Sequence, residues 1–333
     1  MRAFFNFLVL AQVFIILPGC SKDSDDTQNN NTDTSVDSGS TTDSGANTDT
    51  QSSTTPSTEF PDPTFGLSTQ TIVHDQVERE YLLYVPESYD ASSQAPVMMN
   101  FHGFGGYAVG HMEAADMREV AEEDGFILIY PQGTRLDGEP HWNTYLPGGD
   151  NKSSADDYGF VGAMLDDLSL NYAIDSSRVY AAGYSNGGDF TYTLACFLSD
   201  KITAIASVSG LMWEGTVRDC EVTHPTTVLT IHGTGDRTRP YDGWEEYMLS
   251  IEQSISFWND QNNITEAPTV TNIQDGGTNI LRYDYFGGDG GSIQRHYKVI
   301  GGGHIWFSFS EGGVEVNRLI WEMLSSFDSD GAI

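Results

Sequence analysis

The sequence predicts an α/β fold, a mostly parallel central sheet with helices on both faces, and three observations predict it. Short apolar runs bounded by turn residues alternate along the chain with longer amphipathic stretches. One run, Phe126-Ile127-Leu128-Ile129-Tyr130, is apolar throughout, as a strand covered on both faces must be. Loops rich in Gly, Ser, Asp and His stand directly after several runs, where the carboxyl ends of parallel strands collect reactive groups.

The 333 residues open on Met1-Arg2 and an apolar stretch from Ala3 to Leu17, the pattern of a secretory signal over residues 1–20. The stretch is too short to span a bilayer comfortably. Leu17-Pro18-Gly19-Cys20 resembles a bacterial lipobox, which implies lipidation of Cys20 and a membrane association through that anchor alone. Pro18 departs from the usual small residue there; the alternative is an ordinary cleaved signal with an incidental cysteine. Residues 21–62 are Ser, Thr, Asp, Asn and Gly with few apolar groups. They cannot bury enough surface to offset ordering, so the expectation is a disordered tether. The acids after Cys20 resemble a surface-export signal of some bacterial lipoproteins, which places the protein on the extracellular side, lipid-anchored at the outer membrane or cell surface or else secreted.

Residues 63–333 are expected to form the folded domain. Glu80–Val85, Pro96–Phe101, Phe126–Tyr130, Arg178–Ala182, Ile202–Val208 and Thr227–Gly233 read as strands. Helices are expected over residues 111–123, from a cap at Asp157, over 186–199, over 243–260 and over 314–327, each with apolar residues at helical spacing. Residues 282–286 and 293–299, split by a glycine-rich loop, read as a hairpin, and residues 131–155 as loop. The whole chain carries 15 basic against 48 acidic residues, net −33. An acidic surface favours solubility and argues against a nucleic-acid partner.

Gly183-Tyr184-Ser185-Asn186-Gly187 lies between a strand and a helix. A serine on such a sharp turn presents its hydroxyl outward, and the glycines avoid collisions with the neighbouring elements. A hydroxyl becomes nucleophilic only when a base takes its proton, and a carboxylate orients that base and stabilises its cation. The base is expected to be His304, in Gly301-Gly302-Gly303-His304, and the carboxylate Asp236, in His232-Gly233-Thr234-Gly235-Asp236. The chain order Ser, Asp, His is that of α/β-hydrolases. The oxyanion donors are expected to be the backbone N–H groups of Asn186 and of Phe104, with Gly103 close behind, in His102-Gly103-Phe104-Gly105-Gly106. Trp142 and Trp306 are expected to line the substrate pocket, the alternative for both being core packing. With Cys20 set aside, Cys196 and Cys220 remain, either a disulfide in an oxidising compartment or two buried thiols.

Together the four loops, with Asp156-Asp157-Tyr158-Gly159-Phe160, resemble the polyhydroxybutyrate depolymerase and feruloyl esterase family (carbohydrate esterase family 1) over about residues 65–325. The resemblance implies an α/β-hydrolase fold, metal- and cofactor-free serine hydrolysis of carboxylic esters outside the cell, and a Cys196–Cys220 disulfide. The substrate is then a polyester or an esterified plant polysaccharide. Two departures touch substrate preference: Asp189 stands where the family has an apolar residue, and Arg237 and Arg239 follow the acid. The competing readings are a serine peptidase on the same fold, for which about 270 residues leave little room for a lid domain, and an inactive surface protein that binds a polymer. Oligomeric state is left open.

Overall fold

The structure, a computed structural model, describes residues 60–145 and 152–333. The predicted signal, Cys20 and nearly all of the predicted tether lie outside the described residues.

We number the strands of the main sheet and the helices in chain order. The strands are β1 (Gly66–His74), β2 (Val77–Val85), β3 (Ala95–Phe101), β4 (Ile127–Pro131), β5 (Ile174–Tyr184), β6 (Ala204–Val208), β7 (Thr227–Gly233), β8 (Thr269–Asp275), β9 (Thr278–Tyr285) and β10 (Gln294–Val299). The helices are α1 (Ala108–Ala114), α2 (Arg118–Asp124), α3 (Asp157–Asn171), α4 (Asn186–Phe197), α5 (Glu214–Arg218), α6 (Ile251–Gln261) and α7 (Val316–Leu324). The ten strands form one sheet in the order β1-β2-β4-β3-β5-β6-β7-β10-β9-β8. From β4 to β10 every neighbouring pair is parallel, and the strands beyond either end pair antiparallel.

Alternation along β3 shows why its sequence carries no polar face. Val97, Met99 and Phe101 point into one buried layer and Met98 into the other. The first layer is closed by Phe160, Val161 and Met164 of α3, Phe190 and Leu194 of α4 and Trp258 of α6. The second is closed by Met112 of α1, Val120 of α2 and Leu319, Ile320 and Trp321 of α7. Both faces being covered, the central strands bury their whole surface, which is the main source of stability at roughly 25 cal/mol per Å² of apolar area. The sheet edges differ: β1 alternates half-buried and exposed positions along its length.

Several local expectations are corrected. Residues 111–123 are two short helices, because Ala115–Met117 break the run and the Asp116 carboxylate accepts the Arg118 N–H at 3.0 Å, restarting it. The cap of α3 is Asp156, which accepts the Gly159 N–H at 3.1 Å; Asp157 sits one residue inside. Residues 131–155 are not all loop: Thr134–Leu136 and Glu139–His141 pair through Asp137-Gly138, both at positive φ. An Asp-Gly pair between two extended triplets is a hairpin signal that composition masks. The helix expected over residues 243–260 begins only at Ile251, where Ser250 and Gln253 form a reciprocal capping box. β1 and β8 were not anticipated; both are edge strands with little apolar content, and the signals for them were the turns Asp75-Gln76 and Gly276-Gly277, all at positive φ.

Candidate active site

Ser185 stands between β5 and α4 with φ 53° and ψ −119°, a strained conformation for a residue with a Cβ. It is held there from two sides. Its N–H donates to the Val208 carbonyl at 2.9 Å, and its carbonyl accepts the Asp189 N–H at 2.8 Å. The flanking glycines serve close approach: a Cβ on Gly183 would collide with the Gly187 carbonyl, and one on Gly187 with the carbonyl of Phe101 at the end of β3. The turn can pack between β3 and β6 only with bare backbone at these positions.

His304 and Asp236 come from loops after β10 and β7, which are adjacent and parallel. Those loops also touch without side chains between them. The Gly235 N–H donates to the Gly302 carbonyl at 2.8 Å, and a Cβ on Gly233 would strike that same carbonyl. Gly233 and Gly235 are thus a packing requirement, while Gly301 takes a positive φ of 73°. The Tyr184 hydroxyl donates to the His304 carbonyl at 2.9 Å, and the Ser209 hydroxyl to the Ile305 carbonyl at 2.9 Å, so the base loop is tied to β5 and to the end of β6. Neither tie was visible in the sequence.

The three side chains meet. His304 Nε2 lies 2.7 Å from Ser185 Oγ, and His304 Nδ1 lies 2.7 Å from Asp236 Oδ2. A carboxylate only accepts, so Nδ1 carries the proton and Nε2 is free to accept from the serine hydroxyl. The other Asp236 oxygen accepts the N–H groups of Thr238 and Arg239, each at 2.8 Å. His232 is a second imidazole near the acid, 3.6 Å from Asp236 Oδ2. Burial pushes its pKa down, and its Nε2 is taken up by the Arg239 carbonyl at 2.8 Å, so it packs as a neutral ring beneath the acid loop.

The loop after β3 lies across the serine. His102 is buried, with its pKa pushed down by burial to about 4, and is therefore neutral. Its Nδ1–H donates to the Gly103 carbonyl at 2.8 Å and its Nε2 accepts the Gly133 N–H at 2.9 Å, which makes it a brace for the loop. Gly103 packs against Ser185: a Cβ there would come within 3.2 Å of the serine Cβ. Phe104 is 49% exposed and lines the cleft in front of the serine. Among the described residues, the N–H groups of Phe104 and Asn186 donate to no loop carbonyl or side chain. The cleft, of about 400 Å³, is lined by Gly103, Phe104, Lys152, Tyr184, Ser185, Thr238, Arg239 and His304.

The two tryptophans are placed differently from expectation. Trp142 is 1% exposed, stacked on Phe190, with its indole N–H donating to the His102 carbonyl at 3.0 Å. Its backbone exchanges two hydrogen bonds with the Asn186 amide, at 2.8 and 3.0 Å. It therefore supports the loop after β3 and the start of α4, and borders a second cavity. Trp306 is absent from the cleft lining; its indole N–H donates to Asn317 of α7 at 3.0 Å and its ring meets the edge of His111. A position two residues past the base pointed to the cleft, but the loop turns the ring away into the second core layer.

Asp189 and Arg239, two of the three residues singled out in the sequence, form one feature. Asp189, in the first turn of α4, is 1% exposed and receives Arg239 through Nη2 at 2.8 Å and Nε at 3.2 Å. Its other oxygen accepts the Leu211 N–H at 2.8 Å. Burial alone would lower the Arg239 pKa; the adjacent Asp189 charge outweighs it and raises it. The pair links the nucleophile helix to the acid loop. Arg237 is exposed. Cys196 and Cys220 form a disulfide joining α4 to the segment after α5.

No protein-family model matches the chain. It is 27% identical over 252 residues to a probable feruloyl esterase C of Aspergillus terreus, an alignment covering 74% of this chain and 84% of that one. It is 25% identical over 255 residues to a bifunctional acetylxylan esterase/xylanase of Neocallimastix patriciarum, where the match spans 77% of this chain but only 34% of the relative. Among solved structures, an acetyl xylan esterase from Aspergillus awamori superposes with a TM-score of 0.54 at 17% identity, over 72% of this chain and 94% of that one, a likeness of fold. With those relatives and this sheet order, the chain is a serine esterase with the α/β-hydrolase fold, similar in sequence to feruloyl and acetylxylan esterases.

Proposed function

We propose that this protein hydrolyses ester substituents of plant polysaccharide through an acyl-enzyme on Ser185. The observation that carries the reading is the unbroken chain of two 2.7 Å hydrogen bonds from Ser185 through His304 to Asp236. As Ser185 Oγ attacks the ester carbonyl, its proton passes to His304 Nε2, and Asp236 stabilises the resulting imidazolium. The oxyanion is received by the N–H groups of Asn186 and Phe104. His304 returns the proton to the departing alcohol oxygen. It then takes one from water, which attacks the acyl carbonyl and releases the acid and free Ser185. No metal or cofactor is called for in these steps.

The polysaccharide assignment is supported by the names of the relatives, an acetylxylan esterase and a feruloyl esterase. Export is supported by the disulfide, since such bonds persist in oxidising compartments. We further propose that Cys20 carries a lipid and that residues 21–62 tether the domain to it. Acid release from acetylated xylan, feruloylated arabinoxylan, polyhydroxybutyrate film and peptide amides tests the substrate class. Release from the xylans is the expected result, and release from the film or the amides alone would replace it. Ser185→Ala should lower kcat on the order of 10⁶-fold and abolish labelling by a fluorophosphonate, which needs an activated serine. Near-normal turnover by that variant, or a wild-type chain inert to the label, would sink the serine mechanism.

A further inference from the structure

In a chain with 48 acidic against 15 basic residues, most cations find a partner. Lys201 pairs with Asp166 at 2.5 Å and Lys298 with Glu252 at 3.6 Å. Lys152 makes no ion pair among the described residues, although it stands at the mouth of the serine cleft with Ser185, His304 and Arg239. Its ammonium is held instead between two rings, 5.5 Å from the centre of Phe104 and 5.8 Å from that of Trp213. Rings replace part of the lost hydration but supply no counter-charge. Burial between them, with the like charge of Arg239, pushes the Lys152 pKa down despite Asp189. Arg239 cannot share an anion freely, because its guanidinium is committed to Asp189. Among the described residues, the unpaired charge at the cleft is therefore that of Lys152, with exposed Arg237 following the acid.

Lys152 also lines the neighbouring cavity, of about 310 Å³, with Trp142, Tyr145, Trp213, Glu214 and Glu246 among its walls. The two glutamates disfavour an anion beside them, and Lys152 is the residue that lines both cavity and cleft.

We infer that Lys152 selects esters that carry a carboxylate close to the scissile bond. This rests on the reading that the Ser185 cleft hydrolyses esters. The carboxylate can belong to the alcohol part, as a uronic acid residue of an acetylated polysaccharide, or to the acid part, as the free end of a dicarboxylic half-ester. Lys152 lines the cleft beside Ser185 and makes no ion pair among the described residues, so its charge is available to an incoming carboxylate.

The test compares kcat/KM on matched pairs. On the acid side these are p-nitrophenyl hydrogen glutarate and p-nitrophenyl pentanoate. On the alcohol side they are acetylated xylo-oligosaccharides with and without a glucuronic acid branch. Wild type should prefer the charged member of at least one pair by about tenfold, and the pair showing it identifies the source of the carboxylate. Lys152→Gln should erase that preference, Lys152→Arg should keep most of it, and added salt should shrink it. Equal rates on both members of both pairs, or a preference that survives Lys152→Gln, would overturn the inference. Failure of the hydrolase reading itself looks different: no turnover of any member and no fluorophosphonate label.

Discussion

Replacing Arg239 by Met should destabilise the protein far more than replacing Arg239 and Asp189 together. The pair is buried at both ends, with Asp189 1% and Arg239 8% exposed. Without the guanidinium, Asp189 keeps one side-chain hydrogen-bond donor, the Leu211 N–H, and no ion-pair partner among the described residues. Leaving such a carboxylate unpaired costs about 3–5 kcal/mol. In a domain of this size that lowers Tm by roughly 6–20 °C, at 2–4 °C per kcal/mol. The double replacement by Met removes both charges. It should lie within about 1 kcal/mol of wild type or be up to about 4 kcal/mol more stable, since packed apolar groups do not bear the desolvation cost of an ion pair. Urea titration of wild type, Arg239→Met, Asp189→Met and the double variant at pH 7.5, with the disulfide intact, gives the coupling energy directly. A single variant within about 1 kcal/mol of wild type, or a double variant as unstable as the single, would refute the argument that this charge pair is dry and mutually dependent. Activity adds a second readout. The Arg239 N–H holds Asp236 Oδ1, so an acid loop that shifts to hydrate Asp189 should lower kcat in the single variant and recover in the double.

Two further outcomes follow from buried groups and covalent links. His102, His111 and His296 are buried, and burial depresses their pKa values to about 4, 3 and 3. The unfolded chain binds these protons near pH 6.5, so their destabilising effect is absent above that pH and grows as pH falls toward about 4. Between pH 7.5 and 5.5 each should cost about 1.3 kcal/mol, about 4 kcal/mol together; a urea midpoint unchanged over that range would contradict their burial as neutral rings. Replacing Cys196 and Cys220 by Ser frees a loop with a sequence separation of 24. Chain entropy puts the loss near about 3.5 kcal/mol, read as a lower urea midpoint in the variant and in reduced wild type alike. A midpoint unmoved in both would show that the bridge constrains nothing.

The alternation of apolar runs with helical patterns determined the fold class, because strands covered on both faces have no room for polar residues. Loop chemistry determined the rest of what was legible. Glycine around Ser185 and before Asp236 is demanded by backbone meeting backbone, and that demand leaves a mark on the sequence whichever way the chain is read. The edge strands β1 and β8 were not legible, since a half-solvated strand has no continuous apolar signal. Nor was the direction in which Trp306 points, which depends on how one loop turns against α7. The pairing of Asp189 with Arg239 shows the limit most plainly. Fifty positions apart, each reads alone as a surface charge. Only the closure of the sheet, which sets the first turn of α4 against the loop after β7, turns two surface charges into one buried ion pair. The same packing leaves Lys152 without an ion pair among the described residues, because charge balance is decided by distance in space and composition records none.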